Sequence, residues 1–228
     1  MFGLRYYKGN GEGLFLIKIR AIFEKCGRAK YISHLDLNRC MQRAFKRSGI
    51  PIWYTEGFNP HIYINFALPL SLGYESKAEI MDFNITEQMP FEEIMQKLNS
   101  AMPEGLEITK VYTPETKQTE IKYSDFKITF DKAIKTDFER FMSQEKINTI
   151  KKTKRGEKEI DLKPDIKVLS YEEINGNTVL SLRLPAGNDK NINPSLITDL
   201  LLPVCCEKTS ILSVERTGVL NADEKEFI

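Results

Sequence analysis

The chain has 228 residues, 41% hydrophobic and 29% charged, the balance of a soluble globular protein of one large or two smaller domains. Its formal net charge is only +1, so a site for a polyanion has to come from local rather than total charge. No stretch approaches the roughly twenty apolar residues that cross a bilayer, and the start lacks a signal-peptide core, so a cytoplasmic protein without membrane contact is expected.

Residues 1–13 end in Gly9-Asn10-Gly11-Glu12-Gly13 and read as a flexible leader. The alternation in LFLIKIRAIF, 14–23, predicts a strand with Ile17, Ile19 and Ala21 inward and Lys18 and Arg20 outward. A basic turn follows. Ser33 then carries the hydroxyl of a helix N-cap, with Asp36 three residues on as the capping-box acid. Leu37, Cys40, Met41, Ala44 and Phe45 recur at helical spacing, and Ser48, Gly49 and Pro51 stop the helix. Short strands at 51–54 and 62–66 flank a loop, 67–76 is an irregular crossing, and 78–85 is a longer strand. Pro90 opens a second helix with Phe91, Ile94, Met95 and Leu98 as its stripe, and 106–112 is a strand. This order predicts a ferredoxin-like βαββαβ unit over 14–112.

The polar TPETKQTE, 113–120, reads as a linker, and a weaker copy of the same order follows over 121–220. Strands are expected at 126–130, 147–153 and 158–163, and a hairpin at 166–184 around Asn175-Gly176. Helices are expected at 136–143 and 194–202, a last strand at 210–219, and an acidic tail at 221–228 that frays. The expected fold class is therefore α+β, two tandem ferredoxin-like units with antiparallel sheets.

From residue 18 to 47 there are nine Lys or Arg side chains against Glu24 and Asp36, a local excess of seven positive charges. Arg39, Arg43 and Arg47 fall at intervals of four with Lys46 beside them, which aligns cations along one helix face. Such a face suits phosphates, although arginines on a helix are also its ordinary solvated side. Lys151, Lys152, Lys154 and Arg155 form a second basic cluster. In the loop YTEGFNPH, 54–61, Gly57 frees the backbone and Pro60 forces Asn59 extended, presenting Glu56, Asn59 and His61 together. A carboxylate and an imidazole there could exchange protons, while Asn and Gly are also ordinary turn formers. Cys26, Cys40, Cys205 and Cys206 lack the spacing of a disulfide framework or a two-residue zinc knuckle, and read as reduced thiols. The chain has no cysteine triplet for an iron–sulfur cluster, no Walker loop and no dinucleotide fingerprint, and no cofactor of its own is expected.

At YISHLDLNR, RAFKRSGIPIWYTEGFNPHI and FALPLSLGYESKAE the chain resembles the radical SAM-linked family, an uncharacterised bacterial domain of unknown function. The resemblance runs from about residue 16 to about 106 and weakens at KKTKRGEKEIDLKP and VERTGVL. Thr55 stands where the family usually has Ser, and Ile62 where a second proline is common. Membership implies association with a separate radical SAM protein, to which the cluster and S-adenosylmethionine would belong, and family gene neighbourhoods raise the expectation of RNA.

Three functions follow. The first is an accessory protein that binds structured RNA, tRNA or rRNA, for a radical SAM partner. Its phosphates would lie on Arg28, Lys30, Arg39, Arg43, Lys46 and Arg47 with Lys151, Lys152, Lys154 and Arg155 as a second clamp. Trp53, Tyr54 and Phe58 would stack bases beside Asn59. The second is a protein-interaction subunit of that enzyme without RNA contact. The third is an RNA-modifying or metal-dependent enzyme using His34, Asp36, Glu56 and His61, with His34 and His61 as candidate metal ligands.

Overall fold

The alternation read at 14–23 belongs to a longer ladder. β1 (Leu4–Lys8) and β2 (Gly13–Lys25) form an antiparallel hairpin that pairs Leu4 with Ile17 and Lys8 with Gly13. Residues 4–8 are thus strand rather than leader: LRYYK is a short run of β-formers, outweighed in the sequence by the glycines after it. The structure is a computed structural model that describes residues 4–8, 13–153 and 156–227. The chain divides into two compact units, one ending at Gln118 and one running from Thr119 to Phe227.

In the first unit, α1 (His34–Ser48) begins where its cap predicts. Ser33 Oγ accepts the Asp36 N–H at 3.1 Å and donates to Asp36 Oδ2 at 2.7 Å. The helix ends at Gly49, whose φ of 68° is left-handed. β3 (Ile64–Ala67), β4 (Glu75–Ile85), α2 (Phe91–Ala101) and β5 (Leu106–Tyr112) follow, in the antiparallel order β5-β2-β4-β3. Ile19, Ala21 and Phe23 of β2 with Met81, Phe83 and Ile85 of β4 form the floor of the core; Leu37, Met41 and Phe45 of α1 and Ile94 and Leu98 of α2 close it. Asn99 of α2 ties that helix to β5, its amide bracketing the Ile108 backbone at 2.7 and 2.9 Å. At Gly105 the chain runs so close to Cys26 that a Cβ would lie 2.5 Å from the Cys26 carbonyl oxygen.

The opposite face of this sheet differs from expectation. Arg20 is not outward in solvent but fully buried, bonded to Asp82 of β4 and to the Thr116 backbone and hydroxyl. Asn65 and Gln118 exchange side-chain and backbone hydrogen bonds at 3.0 and 3.2 Å. Residues 116–118, part of the stretch read as a linker, are therefore packed against the face that alternation had given to water.

The second unit contains β6 (Tyr123–Phe130), α3 (Lys135–Ser143), β7 (Asn148–Thr153), β8 (Gly156–Asp161), β9 (Lys167–Ile174), β10 (Asn177–Pro185), α4 (Pro194–Leu201) and β11 (Ile211–Leu220). Its sheet runs β11-β6-β10-β9, the same succession of connections as in the first unit, with β7 and β8 inserted as a separate hairpin after α3. Asn175 (φ 53°) and Gly176 (φ 81°) make the β9–β10 turn. Phe126, Ile128 and Phe130 of β6 are buried, as are Leu180 and Leu182 of β10, Phe138 and Phe141 of α3, and Ile197 and Leu201 of α4. The acidic tail is not frayed over its described residues: Phe227 is buried and its N–H donates to the Val219 carbonyl at 2.9 Å. Every ladder described within a unit is antiparallel, so the class is α+β. Among the described residues no helix is long and apolar enough to cross a membrane.

Candidate nucleic-acid interface

The charge excess counted along the chain is smaller in space. Arg20 is committed to Asp82, Lys18 lies 3.7 Å from the same carboxylate, and Lys30 pairs with Glu75 at 3.2 Å. Lys25 is buried and donates to the Ile32 carbonyl at 3.4 Å. What remains is on α1 and the turn before it. Among the described residues no ion pair holds Arg28, Arg43 or Lys46, all three exposed. Arg39 pairs with Asp36 at 3.2 Å with both side chains more than half exposed, a bond weak enough in water to be exchanged for a phosphate. The Ser33 hydroxyl and then the Arg39 guanidinium hold the Asp36 carboxyl below its usual range. Arg47 donates to the carbonyl of Ala101, the last residue of α2.

Arg39, Arg43 and Arg47 line one open hollow of about 360 Å³ with Asp36, Cys40 and Pro103. Cys40, read as part of the apolar stripe, sits at its border; burial pushes its thiol up, against the opposing pull of Arg47 and Arg43. A second hollow, of about 410 Å³ in the other unit, is also rich in cations, but each has its acid: Lys122 with Asp189, Lys167 with Glu224, Lys190 with Asp165, Arg183 with Asp125 and Glu224. Among the described residues the first hollow has three arginines to one carboxylate, whereas the four cations of the second are matched by four acids once Asp125 is counted. Lys154 and Arg155 lie outside the described residues, as do the side chains of Lys151 and Lys152.

The loop 54–61 is a small hairpin centred on Phe58. Tyr54 bridges to Ile62, the Thr55 N–H donates to the His61 carbonyl at 2.8 Å, and the Tyr63 N–H donates to the Trp53 carbonyl at 3.4 Å. Thr55 Oγ1 accepts the His61 N–H at 3.1 Å and lies 3.0 Å from His61 Nδ1, which also lies 3.2 Å from the Asn59 carbonyl oxygen. Phe58 at the tip is wholly exposed, with a relative accessibility of 105%, and Glu56 and Asn59 beside it are exposed too. Trp53 packs on Tyr63 at the base, ring centroids 5.8 Å apart. Tyr63 was missed in the sequence, although it stands as far after Phe58 as Trp53 stands before it.

The four acid–base candidates are not joined. The His34 ring packs edge-on against Phe66, centroids 5.4 Å apart, and Asp36 is spent on Ser33 and Arg39. His61 is bound to Thr55 and Asn59. Among the described residues no hydrogen bond links either helix residue to Glu56 or His61, and no group of three or more His, Cys, Asp or Glu could hold a metal. Among the described residues no hydrogen bond or ion pair joins the arginine row to the Phe58 loop, and the loop does not line the arginine hollow. One further cluster went unseen in the sequence: the Cys206 N–H donates to Asp137 Oδ2 at 3.1 Å, Arg140 pairs with Asp137 Oδ1 at 2.8 Å and lies 3.6 Å from the Cys206 sulfur, and first Cys206, then Arg140, holds the Asp137 carboxyl below its usual range. All four cysteines are free.

Residues 18–194 match the family model described as an uncharacterized protein conserved in bacteria (DUF2344). The chain belongs to this family. The match takes in the arginine row, the Phe58 hairpin and most of the second unit, so family membership is not carried by the first unit alone. No curated protein matches the chain.

Proposed function

We propose that this DUF2344 protein binds structured RNA and serves as an accessory to a separate radical SAM enzyme. The observation that carries the RNA reading is the hollow lined by Arg39, Arg43 and Arg47, whose cations exceed the acids around them. Guanidinium groups there would neutralise phosphates and release counterions, fixing the RNA without reading its sequence. The exposed aromatic hairpin would supply base contacts that phosphates cannot. The partner rests on the resemblance at YISHLDLNR, RAFKRSGIPIWYTEGFNPHI and FALPLSLGYESKAE alone. We also propose that both units are ferredoxin-like; the repeated order β5-β2-β4-β3 and β11-β6-β10-β9 supports this reading.

The test is filter retention of bulk tRNA across salt. Binding should weaken steeply as salt rises, and Arg43→Glu should reduce both the affinity and the salt slope, by about one for a duplex contact. Retention absent at low salt, or untouched by Arg43→Glu, would reject the reading. Capture of a radical SAM protein from ribonuclease-treated extract, together with no retention of RNA at low salt, would favour the interaction-subunit alternative.

A further inference from the structure

Phe58 is the centre of a tip that the fold braces with hydrogen bonds. Three successive cross-links, Trp53 to Tyr63, Tyr54 to Ile62 and Thr55 to His61, bring the hairpin up to it, and the His61 ring fixes the Asn59 carbonyl from within. A ring presented to water at 105% forgoes the burial that a side chain of this size would gain by folding back. The two polar side chains nearest it are equally uncommitted. Among the described residues neither the Glu56 carboxylate nor the Asn59 amide makes a hydrogen bond or ion pair, and both are exposed. Cα atoms two residues apart are at most about 7 Å apart, so a base lying on the Phe58 ring would bring its edge within reach of Glu56.

A carboxylate narrows which base that is. It offers two acceptors side by side and no donor. Guanine alone among the four RNA bases sets two donors side by side on its Watson–Crick edge, N1–H and the N2 amino group. Uracil has one N–H between two carbonyls that would face the carboxylate, and adenine and cytosine each have one amino group next to an acceptor nitrogen. The edge must be free of a pairing partner, as in single-stranded loops and bulges.

We propose that the Glu56–His61 loop takes an unpaired guanine of RNA, stacked on Phe58, with Glu56 accepting from N1–H and the N2 amino group and Asn59 donating to O6. This rests on the RNA reading above and names the element that its base-contacting site would recognise.

Fluorescence anisotropy of the full chain with stem–loop RNAs tests it. The stems are identical, and one loop position among uridines is guanosine, adenosine or inosine, which keeps N1–H but lacks the amino group. Guanosine should bind about tenfold or more tighter than adenosine, with inosine between. Glu56→Gln should erase that ratio, whatever the removed charge does to all three alike. Phe58→Ala should weaken the guanosine RNA about tenfold or more. Unchanged thermal melting would show both variants folded. Salt-sensitive but equal binding of the three RNAs would overturn the guanine assignment and leave the RNA reading standing. Free guanosine monophosphate competing as well as the stem–loop would overturn the RNA source of the base. No binding of any RNA at low salt would overturn both and leave the loop to a protein partner.

Discussion

Arg20 and Asp82 stand directly opposite each other in the β2–β4 ladder and are joined twice, Nε to Oδ1 at 2.7 Å and Nη2 to Oδ2 at 3.1 Å, with both side chains almost wholly buried. Paired in this way the two charges tolerate their loss of water; either one alone would not.

Asp82→Ala should therefore destabilise the protein by about 3–5 kcal/mol, because the Arg20 guanidinium is left buried without its carboxylate. A double change of Arg20→Met with Asp82→Leu should cost clearly less than Asp82→Ala alone. Urea unfolding of the three variants measures this, and a double variant as unstable as the single one would contradict it.

Ser33→Ala removes the acceptor for the Asp36 N–H at the start of α1 and should cost about 1 kcal/mol. Calorimetry should show a fall of a few degrees in the melting temperature, and Ser33→Asp should recover most of it.

Gly105→Ala should be harsher than its size suggests. The residue sits at a φ of 87°, and the added carbon would meet the Cys26 carbonyl, whose own N–H bonds to Gly105 at 2.9 Å. A loss of about 1–3 kcal/mol is expected, read from the unfolding midpoint.

The Asp161 carboxyl is held below its usual range first by the backbone N–H groups of Ile147 and Lys163, which it accepts at 2.9 and 3.0 Å. A depressed native pKa contributes stability above the unfolded value of about 3.9 that disappears as pH falls through the native one. Unfolding midpoints measured from pH 6 down to pH 3 should fall less steeply near the acid end for Asp161→Asn than for the parent.

Phe58→Ala should leave the unfolding free energy within about 0.5 kcal/mol of the parent, since the ring is wholly exposed. Thr55→Val, which removes the oxygen that accepts the His61 N–H, should instead speed amide exchange at His61. Exchange measured by NMR would separate a fixed tip from a loose one.

Helix α1 and the Asn175-Gly176 turn were legible because their signals are local: a cap, an apolar period, a left-handed stop, a two-residue turn. Arg20 was not. Alternation says which side of a strand a residue faces, but not that Thr116, 96 positions away, covers that side. The charge count failed for the same reason, since the acids that neutralise Arg20 and Lys30 lie 62 and 45 residues downstream. The tail read as frayed because its many charges hid one aromatic residue, Phe227, that folds back into the interior. At the candidate site the row of arginines and the hairpin were both visible as motifs, whereas the packing of His34 on Phe66 and the bonding of His61 to Thr55, which leave the two rings unlinked among the described residues, have no trace in spacing.

The contact from Arg47 to the end of α2 bears on how this surface is to be mapped. That guanidinium steadies the negative pole of a neighbouring helix while also facing the hollow, so reversing its charge would loosen a helix end and repel a ligand in one stroke. Arg43, one turn earlier and bound to nothing among the described residues, separates the two effects, and it is the position at which a lost ligand can be told from a damaged scaffold.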